Sequence, residues 1–500
     1  MHNIKLEIRR SSFWLYNYEP GNCPALERSL SVYNFLDRKY THFGFDYDSD
    51  NKILKIPSGI SIDYILNKCC QDNIIITDIV NETSNFIESR RINNIISKVK
   101  PRNKFQSEAV EFIVANNVAD SHKKQRLLSL ETGFGKTICT IMAVIELKIP
   151  TIITSVNLSQ QWVNRILSST DCELDKDVFF FKTRSDLEKY VNNPTPPLGS
   201  FYVIGIDALT AALRKDTEIL NKFYTKAGIS VQVFDEVHEH FIKIIKVLVN
   251  ITVERILYLS ATPSRSDKSQ DSLYKKIFRD DIPTYGGNTH EVNKFNIISF
   301  RYKTKPAYGD MFRIQPRRGV NAVGYFKYMT KYAHRYFIFV NAIKYFSSKM
   351  FSIANFDKNT KILIYIQSLE CITLVKNALK GFKLYNGFTP TIGDYTSNSE
   401  DKERELDCNL IFTTMSNRAG LDISGLMMII NFMPMSSDNM VKQIRGRIRN
   451  PNGWYIDATD MGFSGMVRQR EKRIINHKRV SKAMSYYEMN ADGDISKCEN

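Results

Sequence analysis

The sequence has no paired cysteine motif, no long apolar run and no leader-like N-terminus, and each of these absences excludes a class of protein. Its eight cysteines include no Cys-x-x-Cys pair, which argues against a zinc ribbon or a disulfide framework and favours a reducing, intracellular compartment. No run of about 18 apolar residues occurs, so we expect no transmembrane span. Lys5, Arg9 and Arg10 are not followed by an apolar segment, so we expect no secretory signal.

Acidic residues are fewer than basic ones. Asp and Glu number 53 against 69 Lys and Arg, which gives a formal net charge of +16. Such an excess favours a polyanionic partner, nucleic acid first and an acidic membrane second. A generally basic surface without a dedicated partner is the alternative. At 500 residues the chain is long enough for roughly two to four domains.

A glycine-rich loop between a predicted strand and a predicted helix is the first candidate site. The apolar run 127–130 precedes it, and apolar residues recur at helical spacing from Ile138. Gly133 and Gly135 let backbone N–H groups approach an anion, Lys136 adds a full positive charge, and the Thr137 hydroxyl can bind Mg²⁺. Leu130 replaces the glycine of the strict phosphate-loop pattern, and a glycine-rich turn before an ordinary helix is the alternative.

Apolar segments alternate with helical patterns after this loop and predict a parallel, doubly wound sheet. The predicted strands are residues 151–155, 201–206, 231–234 and 256–259. The third strand ends at Asp235 and Glu236, of which one carboxylate can hold Mg²⁺ and the other can orient and deprotonate a water. An acidic helix cap is the alternative. The fourth strand is followed by Ser260-Ala261-Thr262-Pro263. The hydroxyl groups of this motif can bond Asp235 and Glu236, which together are called the acidic box below.

A second alternating unit follows, with predicted strands at residues 361–366, 410–413 and 427–430 and no phosphate loop of its own. It ends in Gln443-Ile444-Arg445-Gly446-Arg447-Ile448-Arg449, which predicts a helix rich in guanidinium groups. Arginine is suited to stabilising charge on a γ-phosphate. Without the first unit, this cluster would indicate a nucleic-acid face.

Three other segments carry open alternatives. Residues 1–98, with a helix predicted from Leu26 to Leu36, form either a DNA-handling module or a scaffold. Residues 267–358 are poorly patterned. Within them, the basic and aromatic residues at 325–332 either grip nucleic acid or form a buried aromatic stripe. The basic stretch from Val467 to Lys482 favours a helix that tracks a nucleic-acid backbone over a merely solvated one.

Seven motifs follow one another in a fixed order along residues 100–460. They are Phe105-Gln106, Gly133 to Thr137, Gln161-Trp162, Asp235 to His238, Ser260 to Pro263, Gly420-Leu421-Asp422 and Gln443 to Arg447. This set resembles that of superfamily 2 helicases and translocases. The Asp-Glu-Val-His box and the Ser-Ala-Thr-Pro motif resemble the XPB-like branch. Residues 24–27 and 43–48 resemble the accessory domain of UvsW-type phage helicases.

The resemblance implies an α/β fold with two RecA-like doubly wound parallel-sheet domains in tandem and a small N-terminal α+β accessory domain. We expect the accessory domain at residues 1–98, RecA-like domains at 99–280 and 281–482, and a C-terminal tail at 483–500. ATP and Mg²⁺ are the implied cofactors, held between the two RecA-like domains with nucleic acid across both.

The resemblance also implies a role for each motif residue. At the nucleotide, Gln106 would recognise adenine, Asp422 would contact the sugar, and the phosphates and Mg²⁺ would be held by Gly133, Gly135, Lys136 and Thr137. Asp235 would bind Mg²⁺, Glu236 would act on the attacking water, and Gln443 and Arg447 would face the γ-phosphate. Ser260 and Thr262 would couple hydrolysis to movement, and the residues near the DNA backbone would be Asn157, Gln367, Ser368, Thr396 and Thr413. Asn450 stands where the family has a second arginine, so either Arg449 replaces that arginine or Arg447 works alone.

The implied function is ATP-dependent translocation on duplex or branched DNA, with remodelling of forks, junctions or loops. An RNA helicase, the motor subunit of a restriction-type complex, and a non-catalytic DNA-binding scaffold are the alternatives. We expect DNA rather than RNA as partner, no membrane, and a cytoplasmic location, in a bacterial host if the gene is a phage gene. The sequence indicates no particular protein partner.

Overall fold

The chain forms two compact units, residues 1–289 and 290–500, and each is described by itself. The computed structural model describes residues 3–34, 38–82, 90–92, 94–115, 124–130, 133–156, 159–261, 268–278, 282–286, 295–315, 319–353, 359–384, 387–396, 398–399, 401–415, 423–435, 438–448, 450 and 452–499.

The first unit opens with an N-terminal module built on a mixed sheet. Its elements are β1 (Asn3–Ile8), β2 (Ser12–Tyr16), α1 (Pro24–Ser29), β3 (Ser31–Asn34), β4 (Lys39–Phe43), β5 (Asp46–Asp48), β6 (Ile53–Pro57), α2 (Ile62–Gln71) and β7 (Ile75–Asn81). Five strands pair in the order β5-β6-β2-β1-β7, antiparallel except for β1 with β7. Strands β3 and β4 form a separate two-stranded antiparallel ribbon.

The rest of the first unit is a parallel sheet of seven strands with helices on both faces. Its elements are α3 (Lys104–Val114), β8 (Gln125–Ser129), α4 (Lys136–Leu147), β9 (Thr151–Ser155), α5 (Ser159–Ser169), β10 (Val178–Phe181), α6 (Arg184–Asn192), β11 (Phe201–Gly205), α7 (Ile206–Lys215), α8 (Ile219–Ala227), β12 (Val231–Phe234), α9 (Phe241–Leu248), β13 (Arg255–Ser260), α10 (Lys268–Phe278) and β14 (Thr284–Gly286). The strand order is β10-β11-β9-β12-β13-β8-β14, and every pair is parallel.

Alternate residues of the central strands fill two separate cores, as expected for a parallel sheet covered on both faces. Ile152 and Ile256 belong to one core, whereas Ile153 and Leu257 belong to the other. The first core continues without interruption into the N-terminal module. The module is also tied to the sheet by polar contacts: the Trp14 indole donates to the Val249 carbonyl at 3.2 Å.

The second unit is a parallel sheet extended by one antiparallel strand. Its elements are β15 (Phe295–Tyr302), α11 (Tyr308–Ile314), α12 (Ala322–Thr330), α13 (Ala333–Ile353), β16 (Lys361–Tyr365), α14 (Leu369–Ala378), β17 (Ile392–Tyr395), α15 (Lys402–Leu406), β18 (Leu410–Thr413), β19 (Leu426–Asn431), α16 (Asp438–Arg445), β20 (Trp454–Asp460), α17 (Ser464–Val480), β21 (Ser481–Met489) and β22 (Ile495–Cys498). The order is β17-β18-β16-β19-β20-β15-β21-β22, with only β21 and β22 antiparallel.

The predicted fold class is confirmed, with two parallel-sheet α/β domains in tandem behind a mixed-sheet module. Residues 483–500, predicted as a tail, contribute to β21 and β22 of the second sheet. The predicted boundary at residue 98 stays a prediction. Among the helices of the described residues, none combines the length and apolar character needed to cross a membrane.

Two local predictions were wrong or only half right. The helix predicted from Leu26 to Leu36 ends at Ser29, because Val32 and Tyr33 pair with β4 as a strand. The basic stretch near the C-terminus is the predicted helix, α17, but Arg470 and Arg473 are buried in the second unit. These two arginines therefore do not track a nucleic-acid backbone.

The aromatic pattern at residues 325–332 is mainly a core feature. Tyr325 and Tyr328 are buried, and the Tyr325 hydroxyl lies 2.8 Å from the hydroxyl of Tyr302. Of the aromatic residues in this stretch only Tyr332 is substantially exposed, at 46%, while the side chains of Lys327 and Lys331 are exposed. Of the two alternatives for this stretch, the buried aromatic stripe is the one that the fold adopts.

Candidate functional site

The glycine-rich loop leads from β8 into α4, as its sequence predicts. Gly135 is the residue before α4 and has φ +90°, a conformation that side chains disfavour. A Cβ atom at this position would lie 2.5 Å from the Gln106 amide nitrogen, so the close approach also requires glycine. The Lys136 ammonium group donates to the Leu130 carbonyl at 2.9 Å, which folds the side chain back over the loop.

Gln106 fastens the loop to the preceding helix. Its side-chain nitrogen donates to the Phe134 carbonyl at 2.8 Å, and its side-chain oxygen accepts from the Arg102 N–H at 2.8 Å. The Asn103 side chain caps the same helix by accepting from the Gln106 N–H. The amide therefore holds the glycine-rich loop in place and keeps one N–H donor and one acceptor position for a further partner.

The acidic box lies at the carboxyl end of β12, beside the carboxyl ends of β9 and β13. The Asp235 carboxylate is only 6% exposed and accepts a 2.8 Å hydrogen bond from the Trp162 indole on α5. Its other oxygen accepts from the Glu236 N–H at 3.0 Å. The motif Gln161-Trp162 had no predicted role, and the structure makes the Trp162 indole a fixed donor that orients Asp235.

Burial, together with the neighbouring Glu236 carboxylate, raises the pKa of Asp235 to about 7, although the Trp162 hydrogen bond and the Lys136 charge oppose the shift. Burial likewise raises the pKa of Glu236, again opposed by Lys136. Two desolvated carboxylates are thus held beside one cation. Such a pair is stabilised in its charged form by any further cation, which fits a divalent metal ion carried by a nucleotide.

Glu236 links the acidic box to the next strand. Its backbone has φ +49°, an uncommon conformation for a residue with a side chain and one that clusters at functional sites. One Glu236 oxygen lies 3.4 Å from His238 Nδ1, and the same nitrogen lies 2.9 Å from the Ser260 hydroxyl at the end of β13. His238 therefore joins Glu236 to Ser260. The sequence predicted His238 only as the last residue of its motif and gave it no separate role.

Arg447 and Gln443 lie in the second unit and are buried, each 6% exposed. Helix α16 ends at Arg445, so Arg447 lies in the turn beyond the helix rather than inside it. Burial raises the pKa of Tyr365 and of Tyr395, and the Arg447 guanidinium opposes both shifts. Arg447 is therefore close to the carboxyl ends of β16 and β17, where these two tyrosines lie.

The predicted backbone-contact residues of the second unit gather at the same sheet edge. Gln367 and Ser368 follow β16, Thr396 follows β17, and Thr413 ends β18. Their polar groups already have intramolecular partners: Gln367 accepts from the Met415 N–H, Ser368 caps α14, and Thr413 donates to the Tyr395 carbonyl at 2.8 Å. Thr396 is 1% exposed. Asn157, Thr262, Asp422 and Arg449 lie outside the described residues.

A model of one protein family matches residues 89–265, and its description is "Type III restriction enzyme, res subunit". The match covers α3, the phosphate loop, the acidic box and the strand that ends at Ser260. Within these residues the chain is similar to a helicase-family domain, so the resemblance to superfamily 2 helicases that the motifs predicted is confirmed.

A viral protein is also similar to this chain. It is the "Putative helicase 161L" of Invertebrate iridescent virus 6, 29% identical over 286 residues, which are 54% of this chain and 57% of that protein. The chain thus spans little more than half the length of this curated relative.

Among solved structures, two of S. cerevisiae Dbp5 bound to RNA and ADP BeF3 align with TM-scores of 0.51 and 0.50. Their sequence identities are 13% and 14%, and each alignment covers 77% of this chain and 89% of the other. At such identities the likeness concerns the fold alone. A structure of T4 UvsW aligns over 97% of this chain and 99% of that one, at 14% identity and a TM-score of 0.36, which is too low to support an inference.

Proposed function

We propose that this protein is an ATP-dependent DNA helicase or translocase that acts on duplex or branched DNA. The observation that carries the proposal is the set of groups at one edge of the first parallel sheet. Lys136 lies near the carboxylates of Asp235, which is buried, and Glu236, which is partly buried, and His238 lies between Glu236 and Ser260. This combination of cation, paired carboxylates and a linked strand end suits nucleoside triphosphate hydrolysis.

In the proposed reaction each residue has one task. The N–H groups of the phosphate loop and Lys136 bind the phosphates, while Gln106 keeps the loop in place. Thr137 and Asp235 would hold the Mg²⁺ that accompanies the nucleotide and screens its phosphate charge. Glu236 positions a water and takes up its proton. Its raised pKa brings it closer to the operating pH, as general-base catalysis requires.

Ser260 is proposed to couple the reaction to movement. Its hydroxyl lies 2.9 Å from His238, which lies 3.4 Å from Glu236. A change in the charge around Glu236 during hydrolysis thereby reaches the end of β13 through one histidine. The net charge of +16 supports a polyanionic partner on which such movement acts.

The test is ATP hydrolysis by the full chain with duplex DNA, forked DNA, single-stranded DNA and RNA. We expect stimulation by duplex or forked DNA and a steep loss of stimulation with salt, because phosphate neutralisation releases counterions. Strong stimulation by RNA alone would contradict the DNA assignment in favour of an RNA helicase.

A non-catalytic scaffold is tested by Glu236→Gln. We expect this change to lower turnover by about 10²–10⁴-fold, the usual contribution of a general base. ATP binding should remain, because the phosphate loop is untouched. A chain without turnover even before the change would support the scaffold.

A restriction-type motor subunit is the second candidate, because the family model that matches is named for such a subunit. Incubation with plasmid DNA, ATP and Mg²⁺ separates the two candidates. Translocation without DNA cleavage is expected for a remodelling enzyme, and cleavage that depends on an added nuclease subunit supports the alternative.

A further inference from the structure

The β3–β4 ribbon of the N-terminal module presents aromatic rings on its surface. Tyr33 and Tyr40 are cross-strand partners with ring centroids 5.1 Å apart. They are 37% and 39% exposed, and Phe43 at the end of β4 is 44% exposed. Three large rings thus lie together on one short ribbon, where their exposed parts are available to a ligand.

The same segment is basic. Arg28, Arg38 and Lys39 are exposed. Among the described residues between 28 and 45, which are 28–34 and 38–45, no Asp or Glu occurs. Over the whole of residues 28–45 the sequence has Arg28, Arg38 and Lys39 against one acidic residue, Asp37. The ribbon therefore combines aromatic faces with an excess of positive charge, the pairing used by proteins that bind unpaired nucleic-acid strands.

A cavity of about 700 Å³ begins where the ribbon ends. Phe43 belongs to both, and its ring lies 5.4 Å from that of Phe45. The rings of Tyr18, Tyr47 and Phe241 also line the cavity. Charged groups of both signs line it as well, namely Lys243, Lys246, Glu27, Asp46 and Glu239. The volume and the mainly apolar lining are those of a small-molecule or cofactor site.

We propose that the ribbon and this cavity form a binding site for unpaired nucleobases of a nucleic-acid strand. Tyr33 and Tyr40 provide stacking faces, Arg38 and Lys39 contact the phosphates, and the cavity next to Phe43 takes a base turned out of the strand. This inference rests on the proposed function, which supplies a nucleic-acid partner, and it assigns the unpaired part of that partner to the N-terminal module.

The chemistry favours this occupant over a duplex. Bases in a duplex are stacked on one another, so their faces are not available to Tyr33, Tyr40 or the cavity. An unpaired base offers a flat face to an aromatic ring and carries a phosphate within reach of a neighbouring cation. The surface provides both groups side by side.

The proposed site also adjoins α9, which follows the acidic box, and α10, which follows the motif that begins at Ser260. Glu239, His240 and Phe241, which come directly after the acidic box, line the cavity. Gly44 lies against α10, where an added Cβ would be 2.8 Å from side-chain atoms of Leu273 and Ile277. A bound base therefore contacts the segment that continues from Asp235 and Glu236, so its binding is expected to alter ATP turnover.

The decisive experiment compares two double variants of the full chain, each lacking a pair of exposed aromatic rings. Tyr33→Ala with Tyr40→Ala removes the stacking faces of the ribbon. Tyr308→Ala with Phe312→Ala is the matched control, because these rings are 76% and 65% exposed and 4.9 Å apart on α11 of the second unit. Binding is measured with a short single-stranded oligonucleotide that carries a fluorescent base analogue, and with a blunt duplex of the same sequence.

We expect the ribbon variant to lose about tenfold or more in affinity for the single strand, since stacking contributes on the order of 1–3 kcal/mol per base. Its affinity for the blunt duplex and its ATP turnover without nucleic acid should stay unchanged, and the control variant should behave as the wild type. Phe43→Ala should reduce the fluorescence change of the base analogue. Equal losses on single strand and duplex, or no loss on either, would overturn the proposal.

A salt titration tests the phosphate contacts. Arg38→Ala with Lys39→Ala should lower the slope of log affinity against log salt by about 0.7 for each lost contact to a single strand. An unchanged slope contradicts the assignment of these cations. If wild-type turnover responds to no nucleic acid, the proposed function itself fails. If wild-type turnover responds but the ribbon variants bind normally, only the present inference fails.

Discussion

Two buried carboxylates, one in each parallel sheet, have opposite electrostatic settings. Asp235 in the first unit has a hydrogen bond from the neutral Trp162 indole, and burial raises its pKa to about 7. Asp457 on β20 of the second unit accepts a hydrogen bond from the Arg473 guanidinium at 2.8 Å and lies 3.3 Å from His477 Nε2. Burial alone would raise the pKa of Asp457, but Arg473 and His477 lower it below its usual range.

The difference distinguishes a carboxylate that stabilises the fold from one that is prepared for a ligand. Asp457 is neutralised by its own chain, in a network that also joins Arg473 to the Met435 carbonyl and Arg445 to His477. Burial disfavours the charged form of the Asp235 carboxylate, and a bound cation would offset this cost. A buried carboxylate with a raised pKa, next to the glycine-rich loop, therefore indicates the site better than burial alone does.

Removal of Arg447 tests whether a buried arginine of the second unit serves the reaction, in contrast to Arg473. If Arg447 stabilises charge on the γ-phosphate, Arg447→Ala should lower ATP turnover by about 10³–10⁵-fold. ATP and DNA binding should stay within a few-fold, because the contribution appears mainly in the transition state. Turnover and binding are measured on the same preparation.

Arg449→Ala is the matched comparison for Arg447→Ala. We expect it to weaken DNA binding and to lower the salt slope by about one unit for each lost phosphate contact, with turnover largely kept. The opposite pattern, with turnover lost on Arg449→Ala alone, would show that Arg449 replaces the arginine missing at Asn450.

Asp457→Asn should destabilise the protein strongly. It leaves Arg473, only 3% exposed, as a buried charge without its carboxylate, a situation that costs about 3–5 kcal/mol. Urea unfolding measures the loss. Asp216→Asn is the control, because its ion pair with Lys222 is exposed and such pairs contribute about 1 kcal/mol or less. Equal effects of the two changes would argue against a structural role for the Asp457 network.

The pH dependence of the free energy of unfolding below pH 7 distinguishes the Asp457 network from the Asp235 site. Burial lowers the pKa of His477, so the unfolded chain takes up a proton below about pH 6.5 that the folded chain refuses, and stability falls as the pH drops. The raised pKa of Asp235 acts in the opposite direction between about pH 4 and 7. His477→Gln should therefore flatten the acid loss, and Asp235→Asn should steepen it, in unfolding measured from pH 7 to 5. Steeper loss in both variants would contradict the assigned shifts.

Local patterns predicted the strands and motifs well, because a parallel strand buried on both faces is a continuous apolar run. Residues 151–155 and 231–234 are strands with the predicted bounds. The ribbon strand β3 was missed, since Leu26, Leu30 and Tyr33 recur at a spacing that suits a helix. Only the pairing with β4 shows that Val32 and Tyr33 belong to a strand. The burial of Arg470 and Arg473 was equally unpredictable, because it depends on how α17 packs against the sheet, where Ser299 of β15 and Asp457 of β20 are their partners.

Within the site, residue types were predictable and partners were not. The phosphate loop and the acidic box follow from spacing, and their neighbours in space do not. Trp162 reaches Asp235 across 73 positions of sequence, and His238 reaches Ser260 across 22. A histidine two residues after the paired carboxylates, close to the next strand end in space, was the available signal for the second of these contacts.

The most direct test of the difference between Asp235, assigned to ligand binding, and Asp457, assigned to the fold, is thermal unfolding. The midpoints of Asp235→Asn and Asp457→Asn are measured side by side at pH 8 without nucleotide. At that pH the Asp235 carboxylate is ionised and buried, so its neutralisation should raise the midpoint, while ATP turnover is lost because Mg²⁺ loses its ligand. Asp457→Asn should lower the midpoint. A fall for Asp235→Asn as large as that for Asp457→Asn would show that both carboxylates are structural and would contradict the assignment of Asp235 to the ATP site.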